Sequence, residues 1–468
     1  MRIIHSTYLI LILCFFCKCT SQQEKERDFS NDIAFVGVSV LPMTSENILP
    51  DQTVWIQGRK IHRIGPRAEI PLPPTIQKID GRGKFLMPGL AEMHAHIPVP
   101  EGDRDSLLHE TLLLWLANGI TTIRGMLGDP FHLELREMIA KDKILSPRMY
   151  TSGPSMNGNT CPDDSTAIAR VRAQKAAGYD FLKLHPGLKR EVFDAIVETA
   201  QEVGIPYAGH VSLDVGIEHA LNSNYASVDH IDGYLEGLVP TDAGVDRYKN
   251  GFFGFAFTEI ADSGRIAPLV DLTVAKKVAV VPTQSLMVRW MNPDDPEKMR
   301  EQPEMQYMHP RTVDNWIKSQ GGIHNAEYYE SDVYPAFIQI RAQIIKTLHE
   351  KGALMLLGSD SPQVYNVPGF SIHHEMNSML AAGLTPYQIL KSGTINPAIY
   401  FGEEGNFGAL VEGASADCIL LRANPLDNLE VIKDNEGVML RGKWLSRKLL
   451  QSSLRAIAEK YSKLSENT

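Results

Sequence analysis

The chain has 468 residues, of which 43% are hydrophobic, 22% charged and 8% aromatic, and its formal charge is −10. That composition supports at least one large core and excludes collagen-like, coiled-coil and intrinsically disordered chains. Acidic and basic residues are interspersed with no basic block, which excludes a nucleic-acid partner, because phosphate binding needs a clustered positive surface.

The first element is a leader. Arg2 precedes the uncharged run YLILILCFF at 8–16, which is followed by Lys18, Cys19 and a polar stretch. A short basic start, an apolar run and a polar exit describe a signal peptide over residues 1–19. The run is too short to span a bilayer, which needs about 20 apolar residues. The protein is therefore expected to be exported, to a bacterial periplasm or outer membrane or to the medium. Cys19 before Thr-Ser-Gln-Gln resembles the acylated first residue of a bacterial lipoprotein, although Lys18 stands where that pattern wants a small residue. Cleavage without acylation is the alternative, and a lipid anchor is the single expected route to a membrane. Residues 20–32 read as a linker. Cys161 and Cys418, far apart in the chain, read as two isolated thiols.

Residues 33–86 carry β-branched runs with turn punctuation (IAFVGVSVL, TVWIQGRKIHRIG), and 405–445 carry a second set. The two are expected to form one small β-sandwich from both chain ends. Between them, across 87–404, strand-like segments end at 93–97, 121–125, 148–153, 180–185, 205–211, 227–232, 278–283 and 354–360. They alternate with segments of helical spacing such as EVFDAIVETAQEVG. Eight β-α units in series predict an α/β fold with a parallel (β/α)8 TIM barrel. The Pro-rich, charged stretch MNPDDPEKMREQPEMQYMHPR reads as a lid over the ligand face. Residues 446–468 read as an amphipathic helix and tail packed on the barrel.

Chemistry-bearing residues gather at the strand ends. His94 and His96 are two apart on one strand, so both side chains face the same way and can share one divalent ion. His210 and His230 end the fifth and sixth strands, Asp360 ends the eighth, and Lys183 sits on the fourth. Each has an ordinary structural role open to it: a hydrogen-bonding histidine, a snorkelling lysine, a helix-capping aspartate. All six, however, fall at the barrel end where active sites assemble.

The strings MPGLAEMHAH, FLKLH, GH at 209–210, DH at 229–230 and GSD at 358–360 resemble the amidohydrolase superfamily. So does the ending GLTPYQILKSGTINPA with GALVEGASADCILLRANPL, and the nearest branch is imidazolonepropionase-like and Xaa-Pro dipeptidase-like. Glu92 departs from the pattern, since many relatives carry Asp there, and it is assigned no ligand role. The resemblance implies two divalent ions, taken as Zn²⁺. His94 and His96 would hold one, His210 and His230 the other, and Asp360 would contact the first. Lys183 would bridge them as a CO₂-derived carbamate, an anion where an ammonium would be repelled. A metal-bound hydroxide would attack the carbonyl, with Asp360 as catalytic base and then acid. If Lys183 stays unmodified, a single ion on His94, His96, His210 and Asp360 is the fallback. His185 and Tyr234 are the substrate-binding candidates, and Arg289 and Trp290 are further pocket-lining candidates.

The expected function is hydrolysis of a C–N bond in a small amide, cyclic amide or dipeptide, with an Xaa-Pro-type dipeptidase as the alternative. A phosphoesterase on the same ions and a non-catalytic solute-binding protein are the readings outside that class.

Overall fold

The structure is a computed structural model that describes residues 29–100 and 105–465. The leader, Cys19 and most of the linker lie outside the described residues.

Five strands come from the N-terminal segments: β1 (Ile33–Val40), β2 (Leu49–Gln57), β3 (Lys60–Pro66), β4 (Gln77–Asp80) and β5 (Phe85–Pro88). Seven follow through the middle of the chain: β6 (Leu90–Ala95), β7 (Ile120–Gly125), β8 (Arg148–Thr151), β9 (Leu182–Leu184), β10 (Tyr207–Gly209), β11 (Ser227–Asp229) and β12 (Ala279–Val281). Three close it: β13 (Cys418–Leu421), β14 (Gly437–Leu440) and β15 (Lys443–Ser446).

The two chain ends share a sheet. Its order is β15-β14-β13-β5-β1-β2-β3, with β4 also paired to β1. The strands read from sequence as a sandwich are thus bonded edge to edge in one eight-stranded sheet. The reason is visible in β13, whose CILL run is buried throughout. Its alternate residues Cys418 and Leu420 join a cluster with Phe35, Val54 and Leu86, while Ile419 and Leu421 point into the main core beside Met87. One face of the sheet therefore packs on the body of the molecule, and the other covers a second buried cluster, where the Lys60–Ser415 bridge brings β3 back against the segment before β13. Cys161 and Cys418 are buried and unpaired.

The body of the chain is α/β with parallel sheets. β6-β7-β8 form one and β12-β11-β10-β9 the other, every pairing parallel. Parallel neighbours need long crossovers, and helices supply them. The helix Arg190–Val203 buries Val192, Phe193, Ile196, Thr199 and Ala200, a single stripe at helical spacing, and stops at Gly204 in the left-handed region. Single parallel bridges continue the pairing beyond the two sheets: Ser152 with Phe181, Val280 with Met355, and Ala95 with Ser361.

Three further expectations change. The segment 354–360 reads as a full strand, yet it pairs through a single bridge and a few backbone bonds to Val280 and Met93, and the amide of Ser359 goes to the Glu92 carboxylate (2.7 Å) instead of a strand partner. The stretch read as a lid loop is helical, with turns at Pro296–Glu301 and Pro303–Tyr307 and a helix at Pro310–His324. Its methionines 299, 305 and 308 pack with Trp316, Tyr365 and Ile457. Ile457 belongs to the helix Arg447–Ser465, so the chain's end anchors this segment. The third change concerns Tyr234 and is described with the site. Among the described residues no helix is long and apolar enough to cross a membrane.

Gly209 at the tip of β10 has φ +126°, and a Cβ there would lie 2.4 Å from the Leu184 carbonyl oxygen and 2.9 Å from Lys183 Cδ. Gly209→Ala is therefore expected to cost about 2–4 kcal/mol in urea unfolding, by overpacking and backbone strain together. A loss below about 0.5 kcal/mol would mean that β9 and β10 are not this close.

Candidate metal centre

The parallel strands deliver six side chains to one place. His94 comes from β6, His96 lies just past it, Lys183 sits on β9, His210 and His230 follow β10 and β11, and Asp360 ends the 354–360 segment. His96 Nε2 is 2.7 Å and His94 Nε2 3.6 Å from Asp360 Oδ1. Lys183 Nζ is 3.3 Å from His94 Nε2, and His230 Nδ1 is 3.7 Å from Asp360 Oδ2. The His230 ring stands 4.4 Å from that of His94 and 4.5 Å from that of His210. All but His96 and His210 are nearly closed to solvent.

The chemistry of these donors fits a divalent cation. His94, His96 and Asp360 offer ligand atoms that all lie within 4.8 Å of one another. Asp360 Oδ1 is buried and accepts no hydrogen bond, although two imidazole nitrogens face it. Burial, with Lys183 and neighbouring histidines adding to it, pushes His94 well below the usual imidazole range, and burial does the same to His230. Burial and Lys183 bring His210 down to about 3. These rings are neutral at physiological pH, the form that carries a free lone pair. Burial also lowers the Lys183 amine to about 8, against the pull of Asp229 and Asp360. The unprotonated amine is the form that reacts with CO₂.

Three of the four imidazoles have a side-chain oxygen close to Nδ1, the kind of neighbour that orients metal-binding histidines. His210 Nδ1 lies 2.8 Å from Asp232 Oδ2, and His230 Nδ1 2.8 Å from Thr283 Oγ1. His94 Nδ1 lies 2.8 Å from Asp229 Oδ2. Asp229 is in turn gripped by Arg124, whose Nη2 donates to both carboxylate oxygens at 3.0 and 2.9 Å. Burial alone would raise Asp229, but Arg124 and Lys183 hold it below the ordinary carboxylate value. Glu92 accepts from the backbone amides of His94 and Ser359, so it ties the first histidine to the segment bearing Asp360. His230, Asp360 and Thr283 all have positive φ (64°, 62° and 44°), a backbone strain typical of functional sites.

Sequence reasoning missed Arg124, Asp229, Thr283 and Asp232. Arg124 did carry a signal: it is a charge inside TTIRG, a strand expected to be buried on both faces. The softer candidates divide. His185 stacks on His210 at 5.1 Å between ring centres and bonds Ser155 Oγ at 2.8 Å, which places it at the edge of the cluster. Tyr234 is a correction: it is buried, and its hydroxyl bonds Thr273 Oγ1 at 2.7 Å, so it faces the supporting helix Ile266–Ala275 and not a substrate. Arg289 is paired with Glu304 at 3.2 Å, and the same carboxylate lies 2.6 Å from His374 Nε2.

The Amidohydrolase family matches residues 85–445, and the chain belongs to that family. An adenine deaminase of Chelativorans sp. (strain BNC1) is 25% identical over 411 residues, 83% of this chain and 54% of the relative. The chain thus spans about half the length of the first curated relatives it matches. Among solved structures, a bottromycin amidohydrolase superposes with TM-score 0.70 at 20% identity, covering 93% of this chain and 91% of the other. An Xaa-Pro dipeptidase with bound methionine superposes with TM-score 0.63 at 18% identity, covering 89% of this chain and all of the other. At these identities the structures speak for a shared fold.

Asp229→Asn keeps the shape and removes the charge that orients His94. It is expected to weaken Zn²⁺ binding about 10–100-fold in competition with a chelating dye. Affinity unchanged to within about twofold would remove Asp229 from the support of His94.

Proposed function

We propose that this chain is an exported binuclear metallohydrolase that cleaves a C–N bond in a small amide, cyclic amide or dipeptide. The observation that carries the reading is the convergence of His94 Nε2, His96 Nε2 and Asp360 Oδ1, with Lys183 Nζ beside them. Family membership and the fold shared with an amidohydrolase and a dipeptidase support it. We read the bridges Ser152–Phe181, Val280–Met355 and Ala95–Ser361 as closing the two parallel sheets into an eight-stranded barrel, with the site at its C-terminal mouth.

His94 and His96 would hold one ion and His210 and His230 the other, with Lys183 between them as its carbamate and Asp360 on the first. Bound there, the ions would polarise the scissile carbonyl and lower the pKa of a water. The residues of the chain do the rest. Asp360, fixed in a strained conformation, takes the proton of the attacking water and hands it to the departing nitrogen. Arg124 and Asp229 hold His94 with Nε2 turned toward Asp360. His185, at the edge of the cluster, would hydrogen-bond the substrate. The apolar segment 8–16 in the leader supports export, with Cys19 as the site of a lipid anchor.

The test is turnover of a panel of N-acyl amino acids, dipeptides and aryl phosphates with added Zn²⁺. Cleavage of C–N compounds, lost on chelation and reduced about 10³-fold or more in Asp360→Asn, is expected. Turnover confined to aryl phosphates, or an Asp360→Asn protein as active as wild type, would contradict the assignment.

A further inference from the structure

The loop that follows β8 lies against the end of β9. Met156 bridges Leu184 in parallel register, its amide donates to the Lys183 carbonyl at 3.0 Å, and its carbonyl accepts from the His185 amide at 2.9 Å. Ser155 is thereby held beside His185, with its Oγ 2.8 Å from His185 Nδ1. The same backbone is pinned a second time, since the Ser155 carbonyl accepts from Thr160 Oγ1 at 2.9 Å and from Arg170 Nη2 at 3.1 Å.

The direction of each hydrogen bond follows from one end of this loop. Asn157 Oδ1 accepts from the amides of Asn159 and Thr160, both at 2.9 Å, which fixes the orientation of the side-chain amide. Its Nδ2 therefore donates to Ser155 Oγ, at 3.1 Å. Ser155 Oγ has its own proton to give, and among the described residues His185 Nδ1 is the acceptor within reach. An imidazole whose Nδ1 accepts is neutral and carries its proton on Nε2. That nitrogen has no hydrogen-bond partner among the described residues, and it is not one of the polar atoms buried without one, so it stays accessible. Its ring stacks on that of His210 at 5.1 Å and, with Leu127, Ser155 and Asn157, lines a cavity of about 640 Å³, within the range of small-molecule sites.

We propose that Ser155 and Asn157 are positioning residues that hold His185 in one tautomer, its Nε2–H presented as a donor to an acceptor oxygen of the substrate, beside His210. This role rests on the hydrolase reading above and adds to it the polarity of the substrate contact: an oxygen that accepts, and not a group that donates, meets His185.

The test reads the tautomer itself. Long-range proton–nitrogen spectra are recorded on the full chain, labelled at histidine and supplied with Zn²⁺, with the His185 signals assigned by their loss in His185→Gln. Wild type is expected to show Nε2 protonated and Nδ1 bare. Asn157→Asp keeps an oxygen for the two loop amides and sets an acceptor opposite Ser155 in place of a donor. The Ser155 proton then turns away from His185, Nδ1–H donates to Oγ, and the tautomer is expected to reverse. On whichever C–N compound the panel identifies, Ser155→Ala and Asn157→Asp are each expected to raise KM about tenfold, with the loss falling on KM and not on kcat. Ser155→Thr, which restores a hydroxyl, is expected to recover the wild-type tautomer and most of the affinity. A wild-type His185 protonated on Nδ1, the same tautomer in a folded Asn157→Asp protein, or an unchanged KM in both variants would overturn the positioning role and leave the hydrolase intact. Failure of every C–N compound to react would overturn the hydrolase reading and the substrate contact of His185 with it.

Discussion

The buried ion pair between Arg124 and Asp229 is the constraint on which the rest of the centre depends. Both side chains are shut off from solvent, and a lone charge in that position would cost several kcal/mol. The arrangement is sustainable because the donors of the guanidinium are used. Nε donates to the Met93 carbonyl, Nη1 to Ser227 Oγ and Tyr400 Oη, and Nη2 to Asp229. Arg124 thereby fastens β6, β7 and β11 to one another and to the helix Ile395–Phe401. The same contact passes a charge to the front of the site, where Asp229 Oδ2 faces His94 Nδ1 and leaves Nε2 for Asp360. Structure and chemistry share a residue here, so the fold cannot relax at this point without disturbing the histidines.

A second tie works from the opposite side. Glu92 binds the amides of both His94 and Ser359, and burial pushes its carboxyl up to about 8 against those hydrogen bonds. It takes the Ser359 amide out of the strand pairing just before Asp360 enters its left-handed conformation beside two imidazoles. The sheet built from both chain ends lies behind this region, with Met87, Ile419 and Leu421 contributing to the main core. Strands from residues 33 and 443 are thereby joined to the body that carries the centre.

Much of the centre was legible in the sequence because strands alternate. His94 and His96, two apart, had to face the same way, and residues at successive strand tips had to meet if the strands were parallel neighbours. Side-chain partners carried no such periodicity. Asp229 sits next to His230 in the chain but serves His94, and Arg124 lies more than a hundred residues from its carboxylate. The Tyr234 reading failed because a short helix begins there and turns the ring toward Thr273. The segment 354–360 looked like a strand because it is apolar, and composition does not reveal that a glutamate has taken one of its amides. The single sheet was hidden for a similar reason, since β13 is apolar on both faces and either face could have met a second layer.

The most direct measurement is the metal content per chain, by elemental analysis of wild type and Lys183→Ala purified and supplemented in parallel. The account predicts about two ions in wild type, falling to one or fewer without Lys183. One ion in both proteins would contradict the bridged pair, and none in either would contradict the metal centre itself.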